Sequence, residues 1–336
     1  MRRALITTAV VTFLFSSDFV NGHEFDPGYL SLRESSIGVF QAQWKVSIDG
    51  GLYQVLVPQL PPDCLLDSQV RTYVILDAQI QNTELTCKSG LANQPIAIGG
   101  LPSTMTDVLL LIDYFDGSSF VRRLTPNNPS VIVPERPSSW NVMFNYLVLG
   151  VEHILAGIDH LLFVLTLLLL ISGFKRLVLT ITAFTVAHSV TLAVTTMGWV
   201  TVPGAPVEAT IALSILFLAT QLGRASTLAG NKTLEGTLTA RFPWIVAFSF
   251  GLLHGFGFAG ALSEVGLPEQ AIPLALLFFN LGVELGQVVF VAGTLALGWI
   301  IRQTNISVPF WWPRAVSYGI GSVAAFWVFD RSAWLI

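Results

Sequence analysis

The sequence predicts two parts: an all-β extracytoplasmic sandwich domain, and after it an α-helical polytopic membrane bundle of six spans. Three observations carry this. Hydrophobic residues are 53% of the 336 and charged ones only 11%, well under the quarter usual in soluble domains. Before about position 135 apolar residues alternate with polar ones, the period of half-buried strands; beyond it they run on for twenty residues at a time. Lys and Arg gather in alternate loops between those runs, as the positive-inside bias requires.

The opening MRRALITTAVVTFLF has two arginines before an apolar run too short to span, so 1–22 reads as a signal peptide, with Val20 and Gly22 before the cleavage site. His23 then begins the mature chain, where an amine and an imidazole together can bind copper. Cys64 and Cys87 fall in the exported part and are expected to form a disulfide, two buried thiols being the alternative.

Residues 23–134 form the β domain. IGVFQAQWKVSI, VRTYVILD, TELTC, TDVLLLIDYF and SFVRRL suggest seven or eight short antiparallel strands, with Asp116-Gly117 as a hairpin turn. The proline-dense TPNNPSVIVPERPSS follows, and 135–141 is read as a linker holding the domain off the membrane.

The membrane part, 142–336, is expected to cross at 142–171, 177–197, 207–222, 243–262, 271–301 and 310–329. Lys175 and Arg176, then Arg224, Lys232 and Arg241, then Arg302 and Arg314 mark the cytoplasmic loops, while only Arg331 follows the last span. The β domain and the carboxyl terminus are then extracytoplasmic, and the protein belongs in the cell inner membrane, in contact with the lipid bilayer.

Ionisable side chains inside these spans are the candidates for function, since each costs ~2.5–3.5 kcal/mol or more at the centre of a bilayer. LGVEHILAGIDHLLFVLTLLLL carries Glu152, His153, Asp159 and His160. Positions seven apart share a helix face, so His153 is expected above His160 and Glu152 above Asp159. His160, His188 and His254 stand fifteen, twelve and thirteen residues from Lys175, Arg176 and Arg241, which places all three roughly 18–22 Å from the inner boundary. Imidazole with carboxylate suits a divalent metal ion such as Ni, Co or Zn, so His153, Asp159, His160, His188 and His254 form the candidate metal set. Glu152, Asn280, Glu284 and Gln287 are read as pathway residues, with Glu152 and Glu284 on the outer approach; a structural polar network is the plainer alternative. Glu208, at the outer end of its helix, is read as a comfortable helix-terminal carboxylate.

LGVEHILAGIDHLLFVLTLLL, FTVAHSVTLA, FGLLHGFGFAGAL and FNLGVELGQ together resemble the HupE/UreJ family of hydrogenase and urease accessory permeases, in the branch with an exported domain before the spans. The resemblance implies nickel uptake and carries over His153, Asp159 and His160. Where that family has a second histidine after the histidine-glycine motif, this chain has Phe258.

Two other functions fit the same residues. One is an intramembrane zinc-dependent hydrolase with Ser189 beside His188. The other is a membrane-anchored assembly or sensing protein whose β domain binds a periplasmic partner. A pI near 5.7 without a basic patch gives no nucleic-acid role. Neither a phosphate-cradling glycine loop nor a CxxC pair occurs in the sequence.

Overall fold

The computed structural model describes residues 27–48, 52–66, 70–75, 78–135, 138–227, 238–265, 272–304, 309 and 311–332. The expected signal peptide, His23 and Lys232 lie outside them. Among the described residues ten strands come first: β1 Gly28–Ser36, β2 Val39–Ser47, β3 Val57–Gln59, β4 Cys64–Leu66, β5 Arg71–Ile75, β6 Ala78–Cys87, β7 Pro95–Gly99, β8 Val108–Asp113, β9 Ser119–Leu124 and β10 Ser130–Ile132. Seven helices follow: α1 Ser139–Ala156, α2 Ile158–Leu170, α3 Phe174–Thr196, α4 Gly204–Thr227, α5 Pro243–Val265, α6 Ile272–Gln303 and α7 Trp312–Asp330, with a helical turn at Leu238–Arg241 before α5.

The strands make a seven-stranded sheet in the order β4-β6-β2-β1-β8-β9, with β5 also on β6, and a three-stranded sheet β10-β7-β3. Leu30, Leu32, Phe40 and Trp44 of the large sheet share one core with Ile96 and Ile98 of the small one. Strands β3, β4 and β10 have three residues each, too few to show alternation, which is why the sequence suggests fewer strands. The Asp116-Gly117 hairpin is present: Gly117 has φ 87° and donates to the Tyr114 carbonyl. The antiparallel expectation fails at one place, because β1 pairs with β8 in parallel.

All six residues of β8 are buried. Val108, Leu110 and Ile112 face the core between the sheets, while Leu109 and Leu111 join Tyr29 and Val121 against Val142 and Tyr146 of α1. A strand covered on both faces reads as a continuous apolar run, and VLLLI is one. The β region therefore rests directly on the helical region. Asn141 accepts from the Val121 amide and Asn145 donates to the Val121 carbonyl, so β9 and the first turns of α1 are joined at the backbone.

Cys64 lies opposite Cys87 in the β4–β6 ladder, and the two are joined by a disulfide. It closes a loop with a sequence separation of 23 residues, for which chain entropy gives roughly 3 kcal/mol. Cys64→Ser and Cys87→Ser should each lower the stability of the β region by about that amount, and the double variant by no more than either. Denaturant-dependent hydrogen exchange of the β-region amides measures this; additive losses would contradict a single shared constraint.

Helices α3, α4 and α6 are long and apolar enough to cross a membrane, and α1 with α2 makes a fourth if the bent pair is one span. They pack through small residues. A Cβ at Gly150 of α1 would overlap the Phe279 carbonyl of α6, and one at Gly282 would overlap the Leu147 carbonyl of α1. Both glycines belong to an LGVE tetrapeptide, and the two copies cross each other. In the same way Gly251 and Gly255 of α5 lie against the Phe184 and His188 carbonyls of α3. Ser317 of α7 donates to the Ala219 carbonyl of α4, beside Gly223.

The expected first span is not one straight helix. Gly157 separates α1 from α2, and their axes bend by 74°. A Cβ there would lie 2.7 Å from His160 Nδ1 and 2.9 Å from the His153 carbonyl, so only glycine allows this close approach. The stacked stripes expected of a continuous helix are therefore replaced by a corner.

Candidate metal centre

The corner at Gly157 builds the site. Seven residues of straight helix rise about 10.5 Å, yet the rings of His153 and His160 have centroids only 4.7 Å apart, because α2 turns back beneath the end of α1. His188 enters from the middle of α3, its ring 6.4 Å from that of His153. Donor atoms of His153, His160 and His188 all lie within 4.8 Å of one another. Tetrahedral zinc with nitrogen ligands needs donors about 3.4 Å apart, a closure within reach of small side-chain rotations. His254, from α5, stands beside the group with its ring 5.4 Å from that of His160. The structure thus brings together all four histidines of the candidate set.

Hydrogen bonds orient three of the rings for coordination. His160 Nδ1 is 3.0 Å from Asp159 Oδ1, the same oxygen that accepts the His160 amide at 2.8 Å. His188 Nδ1 is 3.3 Å from Asn280 Oδ1, while Asn280 Nδ2 donates to the Leu276 carbonyl at 2.8 Å. With Nδ1–H donating to an oxygen, each neutral ring keeps its lone pair on Nε2. Ser214 Oγ gives its proton to the Ile211 carbonyl at 2.6 Å, so His254 Nε2, 3.1 Å away, is the donor to Oγ and Nδ1 keeps the lone pair. His160 Nε2, His188 Nε2 and His254 Nδ1 are buried and have no hydrogen-bond partner among the described residues. Buried polar atoms are seldom left so. Three buried lone pairs, each on a ring whose other nitrogen is held by an oxygen, are a donor set for a cation.

Asp159 is at the site as an orienting acceptor for His160. Its second oxygen, Oδ2, faces Arg331 at the end of α7, 3.8 Å away. Glu152 forms an ion pair with Arg123 of β9, which also binds Asp107. The three pathway candidates on α6 all reach α3. Asn280 holds His188, Gln287 accepts from Thr185 at 3.2 Å, and Glu284 accepts from Thr182 at 2.7 Å. Thr182 lies nearer than His188 to the Lys175 end of α3, so the Glu284 carboxylate is on that side of the site.

Ser189 donates to the Thr185 carbonyl of its own helix at 2.7 Å, which occupies the hydroxyl on which the hydrolase reading leaned. Sequence reasoning missed Arg123, Arg331 and Ser214. Arg331 alone carried a signal, as the one basic residue after the last expected span.

No curated protein matched the chain. The family model described as HupE / UreJ protein matches residues 129–331, a stretch that contains every histidine of the centre and all seven helices to within two residues of the last described position. Over more than half of its length, then, this chain belongs to the HupE / UreJ family.

Proposed function

We propose that the protein carries a divalent transition metal ion, of the nickel, cobalt or zinc type, across or into the membrane by way of the histidine cluster. The observation that supports this most directly is the set of three buried imidazole nitrogens on α2, α3 and α5 without hydrogen-bond partners among the described residues, beside the converging donors of His153, His160 and His188. Membership of a family linked to metal handling agrees with it. The metal is cargo in this reading, so no resident cofactor is required. The sequence has no ATPase motif, and the ion would move down a gradient of its own or of a coupled ion.

The membrane arrangement belongs to the same proposal. Six spans are α1–α2 taken together, α3, α4, α5, α6 and α7, with a signal peptide before the β sandwich. The β region and the carboxyl terminus are periplasmic, on the oxidising side where a Cys64–Cys87 disulfide is stable. Helix polarity supports the count. Contacts of α1 with α6, and of α3 with α5, advance in the same direction along both chains, whereas those of α4 and α7 run oppositely. Spans one and five, two and four, and three and six have those relations in a six-span chain. Reporter fusions after Asn231 and after Ile336 should give opposite activities; the same activity at both would remove the six-span topology.

Metal bound by the detergent-purified full chain tests the function. About one Ni²⁺, Co²⁺ or Zn²⁺ per chain is expected, as befits a single set of four donors. Chain that retains no more metal than the same protein after denaturation would rule the proposal out.

A further inference from the structure

Arg331 sits one carboxylate away from the metal centre. Its side chain is 16% exposed and lies between two carboxylates, with Nη1 3.8 Å from Asp159 Oδ2 and Nε 3.6 Å from Glu208 Oε2. The guanidinium also lies over the Trp327 ring, 5.3 Å from its centroid. Neither carboxylate contact is short enough for a hydrogen bond, and the one side-chain hydrogen bond made among the described residues is to the Glu208 backbone carbonyl at 3.4 Å. This is a shared and weakly held cation, unlike the bidentate grip that arginine makes when it serves as a strut. Asp159 divides its oxygens between Arg331 and His160, so the guanidinium is one carboxylate away from a ring of the metal centre.

We infer that Arg331 is a tethered cation that competes with the incoming metal for Asp159, and that Glu208 is the carboxylate onto which it withdraws. The inference rests on the metal reading above. A divalent charge on His160 repels the guanidinium across Asp159 while drawing that carboxylate toward the imidazole, and both effects move Arg331 toward Glu208. Metal binding and arginine position are then linked, each weakening the other by the same factor. An ion that imidazoles bind strongly can displace the arginine. A weakly bound ion such as Na⁺ cannot, so Arg331 sets a threshold for admission in addition to any preference of the histidines.

Calorimetric titration of Ni²⁺, Co²⁺ and Zn²⁺ separately into the detergent-purified full chain tests this by the sign of the change. Arg331→Gln should tighten binding about tenfold, a common size for coupling between sites, and Arg331→Lys should stay near wild type. Glu208→Gln should weaken binding several-fold, because the guanidinium is left to Asp159, and most of that loss should vanish in the Arg331→Gln background. A structural brace would behave otherwise: weaker or unchanged affinity in Arg331→Gln, or a Glu208→Gln loss that persists without the arginine, overturns the inference. Should Arg331→Gln not fold, Glu208→Gln decides alone, with unchanged or tighter binding counting against it. Wild type that binds none of the three metals overturns the metal reading and this inference with it. Binding that His160→Ala abolishes but Arg331→Gln leaves unchanged overturns the role of Arg331 only.

Discussion

His160→Ala should abolish metal-dependent uptake into liposomes and lower equilibrium affinity by well over about 100-fold, beyond the 10–100-fold typical of losing a residue that merely orients a ligand. His160 is the ring with most at stake. Its Nδ1 is held by Asp159, its ring touches those of both His153 and His254, and its Nε2 is buried with no hydrogen-bond partner among the described residues. Removing it takes away a donor while leaving the packing of α1 on α6 intact, so thermal stability should change little. Asp159→Asn should fall between, with affinity down about 10- to 100-fold, since the amide still accepts from the imidazole but no longer attracts charge. Vesicles with wild-type and His160→Ala protein that take up Ni²⁺, Co²⁺ and Zn²⁺ at the same rate would defeat the assignment.

A comparison within α6 should give the other large effect. Gly282→Val and Gly293→Val make the same change in one helix, so intrinsic propensity is matched. At Gly293 an added Cβ meets nothing within 4 Å, whereas at Gly282 it overlaps the Leu147 carbonyl and comes within 3.1 Å of Gly150 Cα. Backbone cannot rotate out of the way as a side chain can. Gly282→Val should cost at or above the upper end of the ~1–3 kcal/mol seen for overpacking, and push α1 away from α6. It should also lose metal binding, because α1 brings His153 and α6 brings the Asn280 that holds His188. Gly293→Val should retain both stability and binding; equal losses in the two variants would mean that close helix approach is not what assembles the centre.

The helices and the histidines were legible in the sequence because burial in lipid and burial of charge each leave a local mark. Apolar runs and ionisable residues within them can be read one window at a time. The corner at Gly157 could not. A glycine inside an apolar run costs only about 1 kcal/mol relative to alanine in a continuing helix, and the bend is decided by what His153 and His160 meet after folding. Arg123 with Glu152, Arg331 with Asp159 and Ser214 with His254 are likewise far apart in the chain, so no spacing announces them. The pairing of β1 with β8 escaped for the same reason, while VLLLI did show through its lack of alternation that β8 would be covered twice. Glu208 was set aside as a comfortable helix terminus, and only the position of Arg331 gives it another use.

The parallel ladder between β1 and β8 also dictates when the β region can become stable. Gly28 faces Val108 and Arg33 faces Asp113, so the first strand waits for a partner eighty residues downstream. Its hairpin with β2 can form at once, but an isolated hairpin is marginal in water. The central position of the large sheet stays open until β8 has been synthesised, and the outer face of β8 stays uncovered until α1 arrives. Contacts so distant in sequence make for slow folding and leave a hydrophobic strand exposed meanwhile. The growing chain therefore passes through an interval in which VLLLI is available to the wrong neighbour, and that interval ends only when the first membrane helix is in place.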